Sequence, residues 1–206
     1  RRHSFPTRRS SDLKNEKPAN ELRLYGPIGY SCWEDTGTTH ADVQKWLDTQ
    51  TGDICVKVNS PGGDVFEGNG IHAALAAYAS KGHAVEIVIE ALAASIAGVI
   101  TTAGTKISMA SNALIMVHRA WTYTAGNADD LMKEAGVLQK IDGTITDVYV
   151  KRTGLAAAEI DAMLEEETWL TAQEAKDKGF IDEIIGESAI APESPADPNQ
   201  PPPEDP

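Results

Sequence analysis

Short apolar runs recur along the chain and predict β-strands at residues 22–25, 54–58, 85–89, 106–109 and 113–117. Between and after them, helices are predicted at residues 39–47, 66–79, 95–103, 128–152 and 157–164. Ile71, Leu75 and Tyr78, for example, repeat at helical spacing. Residues 171–182 predict a capped helix, a glycine stop and a final strand. This alternation favours an α/β fold with a largely parallel sheet flanked by helices.

The two ends of the chain differ from its body in composition. Residues 1–18 carry six Arg or Lys against two Asp or Glu, and the first thirteen residues resemble translated adapter DNA. We expect this segment to be disordered or non-native; a basic targeting arm is the alternative. Residues 187–206 carry five Asp or Glu, no Arg or Lys, and seven prolines, which predicts a disordered acidic tail. Residues 19–186 form the expected folded domain.

Charge and cysteine content narrow the class of protein. The formal net charge is −13, which disfavours nucleic acid as a partner because phosphate-binding surfaces need clustered positive charge. Cys32 and Cys55 fit neither a metal-ligand spacing nor a disulfide framework, and a reducing cytoplasm suits them best. The weakly polar run at residues 91–100 is too short to cross a bilayer, so we interpret it as a buried helix and expect no membrane association.

Candidate chemistry begins at residues 59–65, Asn-Ser-Pro-Gly-Gly-Asp-Val, directly after a predicted strand. Two adjacent glycines there free backbone N–H groups to bind an oxyanion, and a side chain at Gly62 or Gly63 would intrude on that site or forbid the required backbone conformation. Ser95 follows among small residues; if a helix begins at it, the N–H of Ile96 is a second unsatisfied donor. Taken alone, such a serine usually hydrogen-bonds to a carbonyl one turn back.

A histidine and an acidic run complete the pattern. His118 ends the strand at residues 113–117 and is the candidate base for activating the Ser95 hydroxyl. A carboxylate is needed to orient the imidazole, and Glu165, Glu166 and Glu167 offer three, of which we expect at most one to point inward. Trp121 is a candidate either for lining a substrate groove or for packing. This order of groups suggests acyl-transfer chemistry.

Four ordered blocks resemble the proteolytic subunit of the Clp protease, and more closely its bacteriophage relatives, the ClpP-like prohead maturation proteases. They lie at residues 59–66, 92–95, 116–121 and 167–175, within a resemblance that covers residues 21–186. The resemblance implies the ClpP/crotonase-like spiral of ββα units with a long handle helix. It makes Ser95 the nucleophile, His118 the base, and the N–H groups of Gly63 and Ile96 the oxyanion hole. Glu167 is chosen as the third residue, with Glu165 second.

The same resemblance implies a serine endopeptidase that uses no cofactor or metal and assembles into a homo-oligomeric ring. Its substrate would be a polypeptide, the scaffold or capsid protein of an assembling phage prohead in the host cytoplasm, with no ATPase partner. Three alternatives stay open. One is a crotonase-type acyl-CoA enzyme, another a serine–lysine peptidase using Lys106, and the third a catalytically silent ring-forming structural subunit.

Overall fold

The computed structural model describes residues 20–29 and 37–186, so the expectations for residues 1–18, for Cys32 and for residues 187–206 fall outside the described residues. Within the described part, the elements in chain order are β1 (Glu21–Tyr25), α1 (His40–Leu47), β2 (Ile54–Ser60), α2 (Val65–Ser80), β3 (Val85–Ala94), α3 (Ile96–Thr101), β4 (Lys106–Ala110), β5 (Leu114–Val117), α4 (Ala128–Thr153), α5 (Ala157–Glu165), β6 (Thr168–Thr171), α6 (Ala172–Asp177) and β7 (Glu183–Ile185).

The strands form one sheet that is parallel except at a single pair. Its main path runs β1-β2-β3-β4-β7, and β5 and β6 branch from it. Strand β3 is long enough to serve two neighbours: Glu86–Ile89 pairs with β4, whereas Leu92–Ala94 pairs with β5. Strand β6 then lies antiparallel to β5. The α/β class with a largely parallel sheet and flanking helices is therefore confirmed.

One face of the sheet carries the hydrophobic core. In β2, Ile54, Val56 and Val58 alternate with half-buried residues and are almost completely buried. Helices α2 and α3 contribute buried residues to the same cluster, among them Leu75 and Ile100. The period-2 alternation in the strand and the helical spacing in α2 bring the apolar side chains of both to one interface, and burial of these side chains stabilises the fold.

The long helix α4 matches its predicted extent closely. Asn127 caps its first turn in a reciprocal pair with Asp130, and Gly154 ends it in the left-handed conformation at φ +75°. Ile145 and Tyr149, in the second half, are buried, whereas Leu131 is exposed in the first half. Among the helices of residues 20–29 and 37–186, none is both long enough and apolar enough to cross a bilayer.

Two predictions about the middle and end of the chain are wrong or incomplete. Residues 91–100 are not one buried helix: residues 91–94 end β3, and α3 begins only at Ile96. Alanine favours helices, but here pairing with β5 extends the strand and overrides that preference. Strand β6 was not predicted. It is only four residues long, and its contact with β5 joins segments distant in sequence.

Candidate active site

Ser95 occupies the turn between β3 and α3. Its φ of +57° lies in the left-handed region, which is strained for a residue with a side chain. It is the N-cap residue of α3, yet its hydroxyl makes no capping hydrogen bond. Its N–H donates to the carbonyl of Met116 at 2.9 Å, which fixes the turn against β5. The hydroxyl is thus held at the carboxyl end of the sheet and is available to another partner.

That partner is His118, the residue that follows β5. The parallel pairing of β3 with β5 aligns Ala94 with Met116, so the residues that follow these strands lie near each other. The Nε2 atom of His118 is 2.8 Å from the Oγ atom of Ser95, a hydrogen-bond distance. The His118 side chain is only 16% exposed. The structure therefore brings together the serine and histidine singled out in the sequence.

Glu167 is the acidic residue that approaches the other side of the imidazole. Because β6 is antiparallel to β5, with Val117 opposite Thr168, Glu167 lies next to His118. Its Oε2 atom is 3.8 Å from Nδ1 of His118, beyond hydrogen-bond distance, and its side chain is 58% exposed. Its φ is +52°. The contact between Glu167 and His118 is thus longer and more exposed to solvent than the contact between Ser95 and His118.

The neighbouring glutamates lie elsewhere. The carboxylate of Glu165 accepts a hydrogen bond from the guanidinium of Arg119 at 3.1 Å, on the exposed surface. Glu166 is the C-cap residue of α5 and is exposed. Of the three acidic candidates, Glu167 is therefore the one with a contact to His118 in the described structure.

The turn at Gly62 and Gly63 lies beside Ser95. Ile28 donates its N–H to the carbonyl of Gly62 at 2.8 Å, and Asp64 donates its N–H to the carbonyl of Ile28 at 2.9 Å. These bonds fix the turn through the carbonyl of Gly62 and the N–H of Asp64. Among the described residues, neither the N–H of Gly63 nor that of Ile96 has an acceptor. The turn and the start of α3 thus present two unbonded donors close to the Ser95 hydroxyl.

The two glycines have different steric roles. A Cβ atom at Gly62 would lie 2.7 Å from Cβ of Ser95, 2.7 Å from the carbonyl oxygen of Ala94 and 3.2 Å from the nitrogen of Ile96. A Cβ atom at Gly63 would instead lie 2.1 Å from the carbonyl oxygen of Ile28. The expectation for this turn is confirmed in both of its forms: a side chain at Gly62 would intrude on the site beside Ser95, and a side chain at Gly63 would be strained by the φ of +149°. Such a side chain would strike the backbone of the neighbouring segment, and Gly62 is the glycine that faces the serine.

Ser95 and His118 line a cleft of ≈ 490 Å³. Another concavity of the described structure has a volume of ≈ 380 Å³. Trp121 lines the cleft of Ser95, is 64% exposed, and meets Tyr123 edge to face at 5.1 Å between ring centroids. Of the two roles considered for Trp121, the structure supports the groove. Asp142, which the sequence reading missed, accepts the Ala120 N–H at 2.8 Å and holds the segment after His118.

The other histidines and the lysine alternative lie away from this cleft. Burial, and secondarily the charge of Lys151, lower the pKa of His72 in α2. His83 stacks on Tyr78. Lys106 pairs with Glu183 at 2.6 Å and aligns with Glu86, nine residues before Ser95. Because a strand rises about 3.3 Å per residue, Lys106 is roughly 30 Å from the serine, so the serine–lysine alternative is wrong.

Comparison with known proteins agrees with this geometry. The family profile described as Clp protease matches residues 45–188. An ATP-dependent Clp protease proteolytic subunit of Bacteroides fragilis is 32% identical over 135 residues, which are 65% of this chain and 64% of the relative. The corresponding subunit of Bacteroides thetaiotaomicron is 31% identical over 135 residues, 65% of this chain and 60% of the relative. That of Staurastrum punctulatum is 33% identical over 139 residues, 66% of this chain and 68% of the relative.

The chain spans less than two thirds of the length of the Bacteroides subunits. The family profile nevertheless covers well over half of the chain, and its range contains Gly63, Ser95, His118 and Glu167. The α/β sheet with its helices agrees with the fold of that family. This chain belongs to the Clp protease family.

Proposed function

We propose that the protein is a serine endopeptidase in which Ser95 is the nucleophile and His118 the general base. The observation that carries this proposal is the 2.8 Å contact between Oγ of Ser95 and Nε2 of His118, next to two backbone donors without acceptors in the described residues. A hydroxyl is a weak nucleophile at neutral pH, and an imidazole in hydrogen-bond contact removes its proton as it attacks.

In the acylation step, Oγ of Ser95 attacks the carbonyl carbon of the scissile peptide while Nε2 of His118 takes the hydroxyl proton. The carbonyl oxygen becomes an oxyanion, which accepts hydrogen bonds from the N–H groups of Gly63 and Ile96. Collapse of this intermediate breaks the C–N bond, and the imidazolium of His118 returns its proton to the leaving amine. An acyl ester on Ser95 remains.

In the second step, a water molecule donates a proton to His118 and attacks the ester carbonyl. The same two backbone donors stabilise the second oxyanion, and the proton on His118 returns to Oγ of Ser95 as the carboxylic acid product leaves. Glu167 acts in both steps as the carboxylate that orients the imidazole and stabilises its charged form. Its separation of 3.8 Å in the free protein is compatible with this role, since catalytic contacts often tighten when substrate binds.

The proposed substrate is the scaffold or capsid protein of an assembling phage prohead in the host cytoplasm, cleaved without an ATPase partner. Support comes from the Glu167-Thr168-Trp169 block, which resembles the phage relatives in sequence and forms the start of β6 beside His118. A homo-oligomeric ring is proposed because the first turns of α4 expose Leu131 and Met132, and apolar side chains on one exposed helix favour association.

Labelling with a fluorophosphonate, which reacts with activated serines, tests the enzymatic proposal. The intact chain should be labelled at Ser95, and the Ser95→Ala variant should not be labelled. An acyl-CoA enzyme or a silent structural subunit would leave Ser95 unmodified. The substrate proposal is tested separately by incubating the protein with scaffold and capsid proteins and mapping new termini by mass spectrometry. Cleavage that requires added ATP and an unfoldase would contradict independence from an ATPase.

A further inference from the structure

The cleft that holds Ser95 adjoins a second concavity of ≈ 200 Å³ against helix α4. The two spaces share four lining residues, Gly63, Val65, Ala120 and Trp121, so they are neighbours. Gly63 carries one of the unbonded N–H groups proposed to bind the scissile carbonyl oxygen. A substrate whose scissile carbonyl is bound by Gly63 therefore passes beside this second concavity, called here the α4 subsite.

Most of the α4 subsite is apolar or aromatic. Helix α4 lines it with Val137, Leu138 and Ile141, and the opposite side carries the exposed rings of Phe66 and Trp121. These walls suit an extended hydrocarbon stem. Aromatic faces also attract cations. Walls of this kind accept an apolar side chain, and they accept equally the stem of a lysine or an arginine.

Glu134 is the feature that distinguishes the α4 subsite from a simple apolar pocket. It begins a stripe on α4 in which Leu138, Ile141 and Ile145 follow at i+4, i+7 and i+11, the spacing of a helix face turned to the body. The side chain is half-buried and lines the subsite. Within residues 20–29 and 37–186, no hydrogen bond or ion pair engages its carboxylate. Its carboxylate is therefore available to a cation that enters the subsite.

Asp64, the other carboxylate of the α4 subsite, already has a structural role. Its Oδ1 atom caps α2 by accepting the N–H groups of Phe66 and Glu67, both at 2.9 Å. Its presence is explained by the helix it begins. Glu134 makes no such bond in the described structure and is placed in the interior of its own helix. Of the two carboxylates of the α4 subsite, Glu134 is therefore the one that is available to a cationic ligand.

We infer that Glu134 is a specificity-determining residue and that the α4 subsite selects a lysine or arginine on the acyl side of the scissile bond. The inference rests on the proposed peptidase function. The alkyl stem of the substrate residue packs between Trp121 and the apolar face of α4, and its cationic head reaches the Glu134 carboxylate. An acidic substrate residue is rejected there, because like charges brought together in an interface are unfavourable.

A set of fluorogenic peptides that differ only in the residue before the scissile bond tests this selection. The intact oligomeric protein should show a kcat/KM about tenfold higher for lysine than for leucine, and a still larger preference over glutamate, in line with the strength of charge-assisted hydrogen bonds. Glu134→Gln should bring the kcat/KM for lysine down to about that for leucine. Glu134→Lys should reverse the order of lysine and glutamate.

Asp147→Asn is the matched control, since Asp147 is an exposed carboxylate on the same helix and does not line the α4 subsite. It should keep the wild-type ranking of peptides. Equal cleavage of the lysyl, leucyl and glutamyl peptides by the wild type would overturn this inference while leaving the peptidase intact. A Glu134→Gln variant that changes oligomeric state in size-exclusion chromatography, with the ranking preserved, would also overturn it. Absence of cleavage of every peptide, together with no labelling of Ser95, would overturn the peptidase proposal itself.

Discussion

The two contacts made by His118 differ in distance and in surroundings. Toward Ser95, the 2.8 Å contact is built on the parallel pairing of β3 and β5 and lies against the core. Toward Glu167, the 3.8 Å contact is built on the short β6, and the carboxylate is 58% exposed. One sheet thus supplies two unlike parts of the same site. The fixed half is the pair of Ser95 and His118, and the adjustable half is the contact of Glu167 with His118. We expect the rigidity of each contact to follow the burial of the strands that carry it.

The largest effect should come from removing a member of the fixed half. Ser95→Ala and His118→Ala should each lower kcat by about 10⁴–10⁶, because the nucleophile and its base act as a unit. Peptide hydrolysis and thermal unfolding, measured on the same preparation, check this. Both variants should unfold at nearly the wild-type temperature. A Ser95→Ala protein that kept more than about a tenth of the wild-type rate would rule out Ser95 as the nucleophile.

The glycine turn offers the next largest effect and separates catalysis from folding. In Gly62→Ala, the new methyl group would crowd Ser95, the Ile96 nitrogen and the Ala94 carbonyl oxygen, so we expect a loss of about 10²–10³ in kcat/KM per folded molecule together with some loss of stability. In Gly63→Ala, the methyl group would meet the Ile28 carbonyl oxygen at 2.1 Å, so the yield of folded protein should fall. Activity per folded molecule distinguishes the two. Equal behaviour of the two variants would contradict the different steric roles of the glycines.

The adjustable half should tolerate substitution with a smaller loss of activity than the fixed half. Glu167→Gln removes the charge that stabilises the imidazolium, but this carboxylate is exposed and distant, so we expect a loss of about 10–10²-fold in kcat, below the ~10⁴ known for a buried triad acid. Glu166→Gln is the control and should stay near wild type. Steady-state rates at low and high salt sharpen the test, because screening weakens an exposed charge pair. If Glu165→Gln is the damaging change, the pairing of Glu165 with Arg119 is not its main role.

The sequence predicted the fixed half of the site better than the adjustable half. Ser95 and His118 each follow an apolar strand, and ends of parallel strands gather at one edge of a sheet, so their proximity could be expected. The approach of Glu167 depends on the antiparallel pairing of β6 and on a φ of +52°, which no local pattern encodes. The role of Asp142 was missed for a similar reason, since its bond to Ala120 joins distant segments. Residues 91–94 were misassigned because alanine favours helices, whereas the pairing with β5 that makes this segment a strand joins distant parts of the chain.

A substitution at Gly98 tests how tightly α3, the helix that begins directly after Ser95, packs against α4. A Cβ atom there would lie 2.7 Å from the hydroxyl of Tyr149 on α4, so Gly98→Ala should lower stability by about 1–3 kcal/mol through overpacking. Gly143→Ala is the matched control, because nothing lies within 4 Å of that position on α4. It should stabilise the helix by up to about 1 kcal/mol. Denaturant unfolding measures both changes; a Gly98→Ala protein as stable as the wild type would mean that α3 and α4 separate easily.

Tyr149 gives the smallest effect, and its sign is the informative part. Its hydroxyl is buried without a hydrogen-bond partner among the described residues, and burial raises its pKa, so the group stays neutral. Tyr149→Phe removes an unsatisfied polar atom but leaves a small void, so we expect the free energy of unfolding to rise by zero to about 1 kcal/mol. Tyr78→Phe is the control: the Tyr78 hydroxyl donates to the Gly52 carbonyl at 2.7 Å, and its loss should cost about 1 kcal/mol. Opposite signs in the two variants, read from chemical denaturation, would confirm that the contact of α4 with α3 under Ser95 is made by packing alone. A clear destabilisation of Tyr149→Phe would instead mean that its hydroxyl has a hydrogen-bond partner in solution.

The Gly98→Ala, Tyr149→Phe double variant should recover part of the stability lost in Gly98→Ala, since the two sites contact each other directly.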